Sequence, residues 1–215
     1  MTNRIAVVDY GMGNLRSVEQ ALRHVAGESE VVLASTPDLI ESADRVVFPG
    51  QGAMRDCMAE LDTRDLRKAV IDAAASKPFL GICIGLQMLF EHSEEGDAAG
   101  LGILPGQVKR FAADIKGADG LRLKVPHMGW NQVVQTKPHE LWSGIDDQAF
   151  FYFVHSYHVV PDDAGIVVGQ TDYGYPFTAA VARDNVFAIQ CHPEKSARDG
   201  LQLLRNFVGW NPALA

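Results

Sequence analysis

Cysteine is scarce in this sequence: Cys57, Cys83 and Cys191 are the three among 215 residues, and no CxxC pair occurs. Three thiols cannot all pair, which argues against a disulfide-stapled secreted scaffold and for a reducing compartment. Long apolar runs are missing too. The run over residues 5–8 is too short for a signal-peptide core. The longest, near residues 79–90, is interrupted by Gly85 and Gln87, and falls below the roughly 18 residues a membrane helix requires. Basic charge is also in deficit, with 19 Lys and Arg against 27 Asp and Glu and a net charge of −8. Without a basic stripe, nucleic acid and anionic membranes are poor partners. The expected location is the cytoplasm.

What is present is ordinary globular composition, 47% hydrophobic and 21% charged, on a chain long enough for a real core. The spacing predicts one domain over residues 1–215. In the first half strand and helix signals alternate. Strands are expected over 4–9, 30–33, 45–48 and 79–82, from β-branched and apolar runs. One helix should follow Asn14 as cap, with Leu15, Val18, Leu22 and Val25 on one face. A second is expected to run from the loop after residue 50 to about 75, and a third from 84 to about 93. Such alternation implies a three-layer α/β fold, with a mostly parallel sheet flanked by helices. From residue 106 the pattern changes to short strands over 107–111, 132–136, 149–154 and 166–171. A hairpin over 178–190 turns at Asp184-Asn185, and a helix over 198–208 ends the pattern. The C-terminal half should form an antiparallel β extension.

The sharpest chemical signal is Gly81-Ile82-Cys83-Ile84-Gly85, where a buried strand meets a helix. Glycines on both sides of Cys83 permit a nucleophile elbow, and a sulfur at a helix N-terminus is favoured as thiolate. A buried, inert cysteine fits the same spacing. A second signal is His192-Pro193-Glu194. In extended backbone residues two apart share a side, so a carboxylate can orient the imidazole and support its charge. A third is Pro49-Gly50-Gln51-Gly52, whose glycines let backbone N–H groups approach an oxyanion, although an ordinary loop reads the same way. Gly11-Met12-Gly13 is a fragment of a dinucleotide fingerprint, but Arg16 stands where the third glycine belongs, so a turn before a helix is preferred. His127, His155 and His158 lack a Cys or carboxylate at recognised ligand spacing, and no metal is assigned. The aromatic stripe over 150–153 with Tyr157 reads as core.

Taken together, the 81–87 segment and the distant His192-Pro193-Glu194 resemble the class I glutamine amidotransferases. Four further blocks, YGMGN at 10–14, PHMGWN at 126–131, YFVHSY at 152–157 and HPEKS at 192–196, are similar to the glutaminase subunits of imidazole glycerol phosphate synthases. The resemblance implies that Cys83 is the nucleophile, His192 the acid and base, and Glu194 its orienter. It implies an oxyanion hole from Gly50, Gln51, Gly52 and the Ile84 amide, and glutamine binding by Gln87, Ser156 and Tyr157. It also implies a cyclase partner of (β/α)₈-barrel form, forming a heterodimer with Asn14, Trp130, Tyr152 and Lys195 at the interface, and no cofactor. The partner would take ammonia and a phosphoribulosyl-formimino nucleotide to imidazole glycerol phosphate and aminoimidazole carboxamide ribotide. Gln51 departs from the family, which usually has a small apolar residue there, as does Cys191, where an aromatic is common. A glutaminase for pyridoxal phosphate or anthranilate synthesis, or a stand-alone Cys hydrolase, shares the triad but not the PHMGWN block.

Overall fold

In the first strand, β1 (Arg4–Val8), Ile5, Ala6, Val7 and Val8 are all fully buried. A strand buried on both faces needs cover on both, and the neighbouring elements supply it. The computed structural model describes residues 3–212. After β1 come α1 (Leu15–Val25), β2 (Glu30–Ala34), α2 (Pro37–Glu41), β3 (Arg45–Phe48), α3 (Met54–Thr63), α4 (Arg67–Ser76), β4 (Phe79–Ile82) and α5 (Ile84–Met88). Then follow β5 (Phe90–Ser93), β6 (Ala98–Ala99), β7 (Leu104–Arg110), β8 (His127–Gln135), β9 (Ala149–His155) and β10 (Tyr157–Pro161). The last elements are β11 (Val167–Asp172), β12 (Pro176–Arg183), β13 (Val186–Ile189) and α6 (Ala197–Gly209).

The sheet runs β2-β1-β3-β4-β13-β12-β10-β7-β5-β6, with β11 joining β12 to β8 and β9 closing on β8. From β2 to β13 every pairing is parallel. Strand alternation then builds two cores. Ile5, Val7, Val47, Leu80, Ile82, Phe187 and Ile189 face α1 and α6, against Leu22, Leu204 and Phe207. Ala6, Val8, Val46, Phe48, Phe79 and Ala188 face the other helices, against Leu61, Val70 and Leu86. Truncating one such side chain, as in Leu22→Ala, costs about 2–5 kcal/mol.

The expected α/β class and the hairpin at 184–185 hold, β12 pairing antiparallel with β13. Two expected helices do not. The one predicted to about residue 75 is two, because Asp65 takes a left-handed φ of 57° and Leu66 N–H returns to Leu61 O at 3.0 Å. This close normally uses glycine, so Asp65 carries no local sign of it. The helix predicted from 84 to about 93 stops at Met88. Leu101 N–H takes Met88 O at 2.8 Å and Ile103 N–H takes Leu89 O at 2.9 Å, turning the next residues into β5. Strand β10 was also not anticipated. The aromatic stripe divides by alternation: Phe151 and Phe153 are fully buried while Phe150 is 53% exposed.

Candidate active site

Cys83 follows β4 and opens α5. Its own backbone, at φ 57° and ψ −112°, makes the sharp turn, a conformation that costs on the order of 1–3 kcal/mol in a non-glycine residue. The flanking glycines serve closeness rather than dihedral freedom. A Cβ on Gly85 would lie 1.8 Å from Phe48 O. Cys83 N–H donates to Ile189 O at 2.9 Å, which ties the elbow to β13. The first N–H groups of α5, beginning at Ile84, have no carbonyl within the helix to reach.

His192 leaves the other side of that pairing, just past β13. His192 and Glu194 come together, but not through the extended backbone expected from the sequence. Residues Pro193–Lys195 form a 3₁₀ turn, and the turn curls the carboxylate back so that Glu194 Oε1 lies 2.8 Å from His192 Nδ1. Both side chains are nearly buried, and His192 Nε2 has no protein partner. Burial alone would drive the imidazole toward neutrality, but the Cys83 thiolate and the Glu194 carboxylate outweigh it. Together they raise His192 from its ordinary value to about 10. A charged imidazole beside the Cys83 sulfur is the arrangement this pairing favours.

A cavity of about 230 Å³ gathers Cys83, His192, Gln51, Gly52, Ile84, Gln87, Ser156 and Tyr157. Gly50 is buried just behind, lining a small crevice with Asn14, Glu194 and Lys195. Gly52, at φ +132°, holds a conformation other residues rarely adopt. Of the two departures, Gln51 is exposed beside the cavity, and Cys191 is fully buried in the core on the α1 side. Burial holds the thiol of Cys191 well above its ordinary value and pushes that of Cys57 up to about 11, so neither is a ready nucleophile.

The four residues expected at an interface lie together. Trp130 and Tyr152 are register partners in β8 and β9, edge to face at 6.2 Å, and Lys195 Nζ sits 5.9 Å from the Tyr152 ring centre. Asn14 is exposed at the crevice it shares with Lys195, its amide donating to Ser17 Oγ at 2.8 Å instead of capping the backbone of α1. His127, His155 and His158 are buried among aromatics. The described residues contain no group of three His, Cys, Asp or Glu side chains that could hold a metal.

Two residues with evident parts here were missed by sequence reasoning. Gln190 Nε2 lies 3.8 Å from Cys83 Sγ. Ser196 Oγ donates to His192 O at 2.6 Å and accepts from Tyr152 N–H at 2.9 Å. His192 N–H in turn donates to Tyr152 O at 2.9 Å. Their position inside the quoted HPEKS block and beside it was the available signal.

The family model described as glutamine amidotransferase class-I matches residues 6–209. Imidazole glycerol phosphate synthase subunit HisH of Aromatoleum aromaticum is 64% identical over 209 residues, covering 97% of this chain and 99% of that one. The same subunit of Dechloromonas aromatica is also 64% identical, covering 97% of each. The chain belongs to the class-I glutamine amidotransferases, within the HisH group. Solved structures agree in fold. A chain of PurLQS from Thermotoga maritima superimposes with TM-score 0.73 at 19% identity, covering 97% of this chain and 99% of that one. A glutamine amidotransferase from Thermotoga maritima gives 0.63 at 18%, covering 93% and 79%.

Proposed function

We propose that the chain, working as one unit, releases ammonia from glutamine at Cys83 and hands it to a (β/α)₈-barrel cyclase. The observation that carries this is the convergence of Cys83, His192 and Glu194 on one cavity, with a charged His192 facing the sulfur. The Cys83 thiolate attacks the side-chain carboxamide carbon of glutamine, forming a C–S bond. The developing oxyanion is held by the Ile84 amide and an N–H from the 50–52 loop. His192 gives its proton to the leaving nitrogen, so ammonia departs and a glutamyl thioester remains. His192, now neutral, takes a proton from water, which attacks the thioester. Glutamate leaves, and the proton returns the imidazole to its charged form beside the thiolate. Glu194 stabilises that imidazolium throughout.

Ammonia protonates in bulk water and then cannot act as a nucleophile, so its path must be sealed. The surface best suited to seal it carries Trp130, Tyr152, Lys195 and Asn14. Met128 and Phe150 extend the apolar part, 62% and 53% exposed. Trp and Tyr are frequent anchors of such interfaces. Among the described residues no helix is long and apolar enough to cross a membrane, in keeping with a cytoplasmic pair. The test is glutamine turnover of the purified chain alone, with the cyclase, and with cyclase plus acceptor analogue. Slow turnover alone and a large rise in the liganded complex are expected. Full activity of the chain alone would favour a stand-alone hydrolase.

A further inference from the structure

His127 and His155 are buried side chains that the chemistry above does not use, 3% and 6% exposed. They form a directed chain of hydrogen bonds. Asn131 Nδ2 spends one hydrogen on Asp172 O at 2.8 Å and offers the other to His127 Nε2 at 3.3 Å. His127 Nδ1 then donates to His155 Nε2 at 3.0 Å, and His155 Nδ1 donates to Tyr157 O at 2.8 Å. Each imidazole carries one proton in this order, and burial, which lowers His127 to about 4 and His155 to about 3, keeps both neutral. Asn131 thus sets the tautomer of both rings.

The far end of the chain reaches the cavity. Tyr157 O accepts a second hydrogen bond, from Gln87 Nε2 at 3.1 Å, and the other Gln87 hydrogen goes to Gln190 Oε1 at 3.0 Å. With both amide hydrogens taken, Gln87 has its carbonyl oxygen left for substrate. A carbonyl oxygen accepts from an ammonium group, not from a carboxylate. We propose that His127 and His155 are positioning residues: by fixing the Tyr157 carbonyl they hold Gln87 with its oxygen toward the α-ammonium group of glutamine. The proposal rests on the glutaminase reading above. It adds that substrate binding is tuned from β8, where Asn131 adjoins the exposed Trp130.

The test measures steady-state glutaminase kinetics on the complex with the cyclase. His155→Phe keeps an aromatic ring among Phe111, Phe153 and Phe177 but removes the donor to Tyr157 O. It is expected to raise KM for glutamine about tenfold, the worth of one neutral hydrogen bond, with kcat changed less than about threefold. His155→Asn, whose Nδ2 falls near the lost Nδ1, should restore most of the KM. In a Gln87→Leu background His155→Phe should add less than about twofold, because the two act through one contact. Multiplying effects in the double variant, an Asn variant no better than Phe, or a fall in kcat with unchanged KM would each overturn the proposal. If His155→Phe does not fold, by melting and by cyclase affinity, His127→Phe carries the same test: a raised KM supports it and an unchanged one overturns it. Absence of glutaminase in the unaltered complex would instead remove the reading beneath it.

Discussion

Cys83 and His192 meet in one cavity but are seated by opposite means. The cysteine is held by a strained turn between β4 and α5 that neighbouring parallel strands bracket, Cys83 N–H donating to Ile189 O and Gly85 packed so closely on Phe48 O that it has no room for a Cβ. The histidine sits past the end of β13, and side-chain and backbone hydrogen bonds to the turn after it and to the antiparallel ribbon fix it. Tyr152 accepts from its N–H, and Ser196 bridges Tyr152 to its carbonyl. The parallel half of the sheet therefore supplies a rigid nucleophile, and the antiparallel ribbon supplies the clamp on the base. Under the docking proposed above, a partner at Trp130 and Tyr152 would bear directly on the clamp that holds the histidine. That division places a rigid seat where chemistry begins and a tunable one where protons move.

The strongest way to break the comparison is Cys83→Ala. Glutamine-dependent synthesis by the complex should fall at least about 10⁴-fold while synthesis from ammonium salts and cyclase affinity persist. Equal loss of binding would point to a docking defect instead. Next is Glu194→Gln, which keeps shape but removes the charge sustaining the imidazolium. Turnover should drop about 10²–10⁴-fold with the melting temperature nearly unchanged; near-normal kcat would take Glu194 out of the chemistry. Gly85→Ala sets a Cβ against Phe48 O and should cost about 2–4 kcal/mol in denaturant melts, more than any single change in the histidine clamp. Ser196→Ala removes the hydroxyl that joins His192 O to Tyr152 N–H. Its kcat should fall about tenfold with KM for glutamine nearly constant, the reverse of the KM effect expected from His155.

The smallest effect is on stability against pH. His127 and His155 fold neutral, with burial lowering them to about 4 and about 3, whereas the unfolded chain protonates them near 6.5. Between those values the unfolded state binds more protons, so stability is full above about pH 6.5 and is lost as pH falls toward 4. Replacing both by Phe should flatten this slope in urea melts, by at most about 3 kcal/mol for each histidine between pH 7 and 4. An unchanged slope would show that the pair does not titrate on unfolding.

How much of this was legible beforehand follows the same division. The sequence by itself determined the parallel layers, because β-branched runs ended by Gly and Pro read directly as doubly buried strands. It determined the elbow, because a tight approach of backbone leaves Gly81 and Gly85 as a visible trace. It also showed His192 and Glu194 two residues apart, though the wrong backbone was assigned to them: Pro193 begins a 3₁₀ turn where an extended strand was expected. Only the tertiary structure decided where helices stop. Asp65 in a glycine conformation and the capture of the Met88 and Leu89 carbonyls by residues 101 and 103 leave no local mark. It alone decided, too, that Asn131, His127, His155 and Tyr157 form one chain of hydrogen bonds. Hydrogen bonds between side chains on different strands depend on register, and register is set by the whole sheet rather than by any short stretch of residues.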